Sequence, residues 1–332
     1  MLDPSQWDHL EGLTLSPRVL MQGDKPGPHA AVRIGSGSEF HDYRPYVSGD
    51  DVTQLDWKAF GRSDRYYLRR HQGETDLTVH MVVDASESMN FAGLSARNRN
   101  IEVEHSPTKL RYALDLAVAL AFVAVRQGDL ASAVVYDTSV RVQVPAGRTW
   151  QHLHLLRHRL GSVLPSPGTD STIAPAARSS SPPRKDWQNA AIDAAGALRA
   201  LGSLTRSMGR NRSRAIIVAI GDFLDEPTGF FEEADRLRHT GADIIALNVL
   251  TRSELHLDDL AGPLRLIDPE TRRSVGVPGA SVLNSYRQRL RRHLDELRSG
   301  CRARKIGHYL LRTDEPVPRA LRRLLGAPPP RT

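Results

Sequence analysis

The chain predicts an α/β fold with a doubly wound, mainly parallel sheet. Three observations carry this. Segments rich in β-branched and other apolar residues at 77–83, 214–220 and 243–250 are of the fully buried kind. Helical segments alternate with strands from residue 77 onward, as the crossovers of a parallel sheet require. The first of these strands also runs directly into Asp84, at the strand end where open parallel sheets gather their ligands.

The elements follow in order. Residues 1–30 carry proline and glycine with weak periodicity, and read as a short helix and an extended arm. Residues 31–76 mix aromatics and charges without helical spacing. They form a β-rich extension of loops and short strands, with 66–71 the best strand. After the strand 77–83 comes a helix over 109–127, whose apolar stripe is too broad for a surface helix. Alternation at 131–136 and 140–144 gives two strands, and leucines at helical spacing give a helix over 150–160. Residues 161–186 form a linker with the low-complexity run Ser179-Ser180-Ser181-Pro182-Pro183. Helices are expected at 188–207, 232–239, 280–298 and 317–325, and a last strand at 306–311. The α/β domain thus spans 77–325, and 326–332 is a proline-rich tail.

Bulk properties narrow the function classes. The chain has 332 residues, one cysteine (Cys301) and a net charge of +7. A single cysteine excludes an internal disulfide framework and a cysteine-based zinc site. No run approaches the roughly 20 apolar residues of a membrane span. The start of the chain lacks a signal-peptide pattern, so the protein reads as cytoplasmic. The densest basic stretch is 287–305, which reads as a solvated face before it reads as a nucleic-acid surface.

Three polar clusters fall at strand ends or in nearby loops: Asp84-x-Ser86-x-Ser88, Thr169-Asp170-Ser171-Thr172 and Gly221-Asp222-Phe223-Leu224-Asp225. A hard cation such as Mg²⁺ takes oxygen ligands in octahedral geometry and keeps waters. Hydroxyls at i+2 and i+4 on a tight loop turn toward one point, and aspartates supply charge. The competing interpretation of the first cluster is a plain turn with a capping serine. Asp222, placed after a second central strand, favours the metal.

These residues carry a resemblance. Asp84-Ala85-Ser86-Glu87-Ser88-Met89 is similar to the metal-ion-dependent adhesion site of von Willebrand A domains. Glu39-Phe40-His41-Asp42-Tyr43-Arg44-Pro45-Tyr46, Gly49-Asp50-Asp51-Val52 and Leu55-Asp56-Trp57-Lys58 resemble the hallmark of the bacterial family labelled domain of unknown function 58. The likeness resumes at 221–225, 262–271 and 312–316, and covers about 30–325.

The resemblance implies a von Willebrand A-like fold behind the β-rich extension. It implies a metal-mediated interaction role beside a MoxR-type AAA+ ATPase, other von Willebrand A-like proteins being further partners. It makes Asp84, Ser86 and Ser88 first-loop ligands of Mg²⁺ (or Mn²⁺ or Ca²⁺), Thr169 the second-loop ligand and Asp222 the third-loop carboxylate. A partner's acidic side chain would complete the site. Thr172 rivals Thr169, and 173–187 reads as an insertion. Glu87 stands where the family holds a small residue.

Two other functions are open on sequence grounds. Asp84 could accept a phosphoryl group in a Mg²⁺-dependent transferase or hydrolase, although Ser86 stands where the haloacid-dehalogenase pattern needs a second aspartate. The 287–305 helix could bind nucleic acid, although no aromatic-interleaved or zinc-finger motif accompanies it. His154 and His158 share a helical face without a nearby carboxylate. There is no Walker-type phosphate loop, so ATP hydrolysis would belong to a partner. No catalytic signature stands out.

Overall fold

A computed structural model describes residues 7, 10, 12–15, 39–45, 60–61, 66–72, 77–97, 100–103, 106–137, 139–164, 214–256, 264–267, 274–277 and 280–325. In chain order its elements are β1 (Glu39–Pro45), β2 (Tyr67–Gln72), β3 (Leu77–Asp84), a 3₁₀ turn (Glu87–Asn90), β4 (Leu94–Arg97), β5 (Asn100–Val103), α1 (Lys109–Arg126), β6 (Leu130–Tyr136), β7 (Val140–Gly147) and α2 (Trp150–Gly161). Then come β8 (Arg214–Gly221), α3 (Thr228–His239), β9 (Asp243–Leu250), α4 (Arg252–Leu255), β10 (Leu264–Ile267), β11 (Ser274–Val277), α5 (Ala280–Ala303), β12 (Gly307–Arg312) and α6 (Val317–Leu324).

Six strands form the central sheet in the order β12-β9-β8-β3-β6-β7. Every pairing is parallel except β6 with β7, where an antiparallel edge strand closes the sheet. This is the doubly wound order, with β3 and β8 side by side where the winding reverses. Val83 pairs with Ile220 across that junction, so Asp84 and Gly221 leave the sheet next to each other.

Each face of the sheet is covered. On one side α1, α2 and α6 pack on Val79, Met81, Val83, Ile216 and Val218. On the other, α3 and α5 pack on Val82, Ile217, Ala219 and Ile244 through Phe230, Leu237, Leu297 and Cys301. In α1 every residue except Arg111, Asp115 and Arg126 is buried, which explains a stripe too wide for an amphipathic surface helix. On α5, Gly300 lies against the Phe231 ring, where a Cβ would stand only 2.3 Å from a ring carbon.

Near the start of the chain, Leu10, Leu13 and Leu15 belong to the same core as α1. The Arg126 guanidinium donates to the carbonyls of Leu10 and Leu13, and the Leu15 amide donates to Gln127 Oε1 at 2.7 Å. Trp7 packs on Phe122 with ring centroids 4.9 Å apart. The sequence pattern did not reveal the small antiparallel pairs β4-β5 and β10-β11. Four-residue strands are too short to show a period of two. The expected helix over 188–207 and the insertion near 173–187 lie outside the described residues. Among the described residues, no helix is long and apolar enough to cross a membrane.

Candidate metal centre

The site is built where β3 and β8 end. Asp84 closes β3, and its Oδ1 accepts the Ser86 amide at 2.8 Å, folding the chain into a tight turn. The Ala85 amide donates to the Tyr136 carbonyl at 2.7 Å, fixing the turn to β6. Ser86 starts the 3₁₀ turn, yet its hydroxyl caps nothing. It lies instead 3.0 Å from Ser88 Oγ. The hydrogen-bonded turn forms, but without a cap from Ser86. Ser88 Oγ in turn donates to Asp222 Oδ2 at 2.8 Å, joining the loop to the end of β8. Glu87 points outward, and its carboxylate accepts the Asn90 side-chain amide at 3.4 Å.

Gly221 is what permits the close approach of the two loops. A Cβ at this position would meet Asp84 Cβ at 3.0 Å and its Oδ2 at 3.3 Å. The following loop is held open by Phe223, which has a positive φ of 48°, a conformation uncommon for a non-glycine residue. His293 of α5 holds it there by donating to the Phe223 carbonyl at 2.6 Å, and the Phe223 ring packs edge-on against Phe230 at 5.2 Å. Asp84, Tyr136, Asp222, Phe223, Asp225 and Phe230 line a small cleft of about 40 Å³ beside the junction.

A buried lysine completes the centre. The Lys109 side chain is 1% exposed, and its Nζ lies 2.8 Å from Asp222 Oδ2 and 2.7 Å from Glu254 Oε1. Burial works against its charge. The two carboxylates outweigh that and hold the ammonium above its ordinary value. Glu254 is itself fixed. Its Oε2 accepts the Thr251 amide at 2.7 Å and the Thr251 hydroxyl at 2.9 Å, as part of a capping box at the end of β9. Burial, with Glu254 and Asp222 adding to it, pushes the nearby Tyr286 phenol up to about 12.

The donor set suits a hard cation. Octahedral Mg²⁺ has ligands about 2.1 Å away, so adjacent ligand oxygens stand roughly 3.0 Å apart. Ser86 Oγ and Ser88 Oγ are separated by 3.0 Å, and Ser88 Oγ and Asp222 Oδ2 by 2.8 Å. A hydroxyl that donates to a carboxylate keeps its lone pairs for a cation. Burial pushes the Asp84 carboxyl up to about 7. The Ser86 amide opposes this, while the charges of Asp222 and Asp225 add to it. Such a carboxylate is under-compensated as it stands, and a divalent ion would relieve it. Among the described residues no group of three or more His, Cys, Asp or Glu could hold a metal, so a cation here would have to use hydroxyls.

Of the residues singled out from the sequence, Asp84, Ser86, Ser88 and Asp222 come together. Thr169, its rival Thr172, and most of the 31–76 hallmark lie outside the described residues, apart from 39–45, 60–61 and 66–72. Of the histidines, His152 Nε2 donates to the Ala131 carbonyl at 2.8 Å, and His154 packs near Trp7 at 6.3 Å. Lys109, Glu254 and His293 were not foreseen. Thr251-x-x-Glu254 is a legible capping box. Lys109 stands at the first position of α1, where a cation opposes the helix dipole, and that misfit is a signal in itself.

This strand order, its antiparallel edge and an Asp-x-Ser-x-Ser loop at the switch point define a von Willebrand A-like protein. The chain belongs to the DUF58 family, described as a protein of unknown function, whose profile matches residues 42–296. It is 26% identical over 272 residues to the uncharacterized protein Rv1480 of Mycobacterium tuberculosis, covering 81% of this chain and 72% of that protein. A Mycobacterium bovis protein, also uncharacterized, matches to the same extent. Among solved structures, the chain is similar to the conserved hypothetical protein BatB from Bacteroides thetaiotaomicron, with 12% identity, a TM-score of 0.40, and coverage of 75% of this chain and 97% of that one. A von Willebrand factor type A structure from Catenulispora acidiphila gives a TM-score of 0.33 at 12% identity, covering 66% of this chain and 42% of that one. Overlaps of this size carry no weight beside the strand order itself.

Proposed function

We propose that the protein is a metal-dependent interaction module of the cytoplasm, working as an adaptor for a MoxR-type AAA+ ATPase. Asp84, Ser86, Ser88 and Asp222, with Thr169 from the second loop, would hold Mg²⁺ or a similar divalent ion. When bound, the ion offers an electrophilic position to an acidic side chain of the partner. The chain's own residues do the rest. Ser86 and Ser88 supply neutral oxygens, so the ion keeps its charge. The Ser86 amide fixes the Asp84 carboxylate, and Ser88 ties the first loop to Asp222.

The observation that carries this reading is a pair of oxygen–oxygen separations, Ser86 Oγ to Ser88 Oγ at 3.0 Å and Ser88 Oγ to Asp222 Oδ2 at 2.8 Å, at the carboxyl end of the sheet. The interaction role is supported by the von Willebrand A-like fold. The basic outer face of α5 gives no comparable support to nucleic acid, since Asp295 and Glu296 sit exposed among its arginines.

A pull-down from cell extract tests the proposal. Wild type in Mg²⁺ should recover an AAA+ ATPase, and EDTA or Ser86→Ala should lose it. Equal recovery in all three conditions would rule out metal-mediated recruitment.

A further inference from the structure

Lys109 places a fixed positive charge against Asp222, one of the candidate ligands. Its ammonium shares Asp222 Oδ2 with the Ser88 hydroxyl, each at 2.8 Å. The same ammonium contacts Glu254 Oε1 at 2.7 Å. The two carboxylates are held very differently. Glu254 is locked by the Thr251 amide and hydroxyl through its other oxygen. Among the described residues, the other oxygen of Asp222 accepts only a long 3.4 Å contact from the Leu224 amide. The base of Lys109 is anchored too, since its amide donates to the Phe91 carbonyl at 3.0 Å and its side chain is 1% exposed.

We infer that Lys109 is a tethered cation that competes with the metal for Asp222, and that Glu254 tunes this competition by drawing the ammonium away. The inference rests on the metal reading above and adds to it a control built into the protein. Lys109 and Glu254 belong to none of the three ligand loops. Both are positioning residues that act through Asp222. With Lys109 present, the pair of carboxylates carries a net charge of −1. Without Lys109 the charge is −2, and with Glu254 neutralised it is zero. Charges a few ångströms apart in a buried site are weakly screened, so metal affinity should follow this order.

The test is Mn²⁺ binding to the full chain, measured by titration calorimetry and by the electron paramagnetic resonance of free Mn²⁺. Lys109→Met should bind roughly tenfold more tightly than wild type, and Glu254→Gln roughly tenfold more weakly. The double variant, with its charge restored to −1, should return close to wild type. Damage to the fold would weaken binding in every variant, so tighter binding by Lys109→Met separates charge competition from a structural role. If Lys109→Met does not fold, Glu254→Gln decides together with its metal-free melt: weaker Mn²⁺ binding at wild-type stability supports the competition, and unchanged binding overturns it. Unchanged affinity across the variants would overturn the inference and leave the metal reading standing. Absence of Mn²⁺ binding in every chain, wild type included, would overturn both.

Discussion

Gly221 carries no side chain because Asp84 occupies the space a Cβ would need, at 3.0 Å from Asp84 Cβ. At this distance the Asp84 side chain must give by a few tenths of an ångström, and Asp84 is itself a candidate ligand. Gly221→Ala should therefore cost about 1 to 3 kcal/mol of stability, as overpacking does. It should also weaken divalent-ion binding. Denaturant melts with and without Mn²⁺ would show both effects, and a variant with wild-type stability and binding would mean the approach is looser than described. At this scale much of the site was legible beforehand. Asp84 ends a strand whose β-branched residues announce it, with Ser86 and Ser88 just after, and Asp222 follows a second such strand. Lys109 and Glu254 were hidden for a physical reason: 145 residues separate them, and only the packing of α1 beside the end of β9 makes them neighbours. Glu87, which stands where the family holds a small residue, faces solvent.

Among the elements, β3 holds the site and also carries a buried titratable group. His80 pairs with Ser132 of β6 across the parallel register, with His80 Nδ1 2.6 Å from Ser132 Oγ. Burial lowers its pKa from 6.5 to about 4. A neutral folded histidine and a protonatable unfolded one mean that the unfolded state binds more protons between these values. The contribution of His80 is thus intact above pH 6.5 and is lost as pH falls toward 4. A shift of this size is worth at most about 3 kcal/mol. Asp84 titrates in an overlapping window with the opposite sign, because its raised pKa favours the folded state at low pH. The wild-type profile alone would mix the two. The difference between wild type and His80→Gln isolates His80, and that difference should shrink as pH falls from 7 to 4.5. A difference independent of pH would mean that His80 is not buried neutral. Strand β3 itself was plain from its sequence, whereas the antiparallel direction of β7 was not. Direction depends on the partner strand, and a pattern of alternation is the same either way.

For the whole molecule, the arrangement of layers followed from the alternation of strands and helices. The strand order, which brings β3 and β8 together, needed the structure. That order converts two unremarkable loops into one centre. The centre joins two serine hydroxyls to the carboxylates of Asp84 and Asp222, a cluster of hard oxygen donors. Such donors suit a small, hard, divalent cation. Ligand binding to the folded state alone raises the melting temperature in proportion to the logarithm of concentration over affinity. The most direct measurement is therefore the thermal unfolding of the full chain with increasing Mg²⁺ or Mn²⁺, for wild type and for Ser86→Ala. The account predicts a melting temperature that climbs with metal for wild type and stays flat for Ser86→Ala. An equal rise in both chains, or none in wild type, would contradict it.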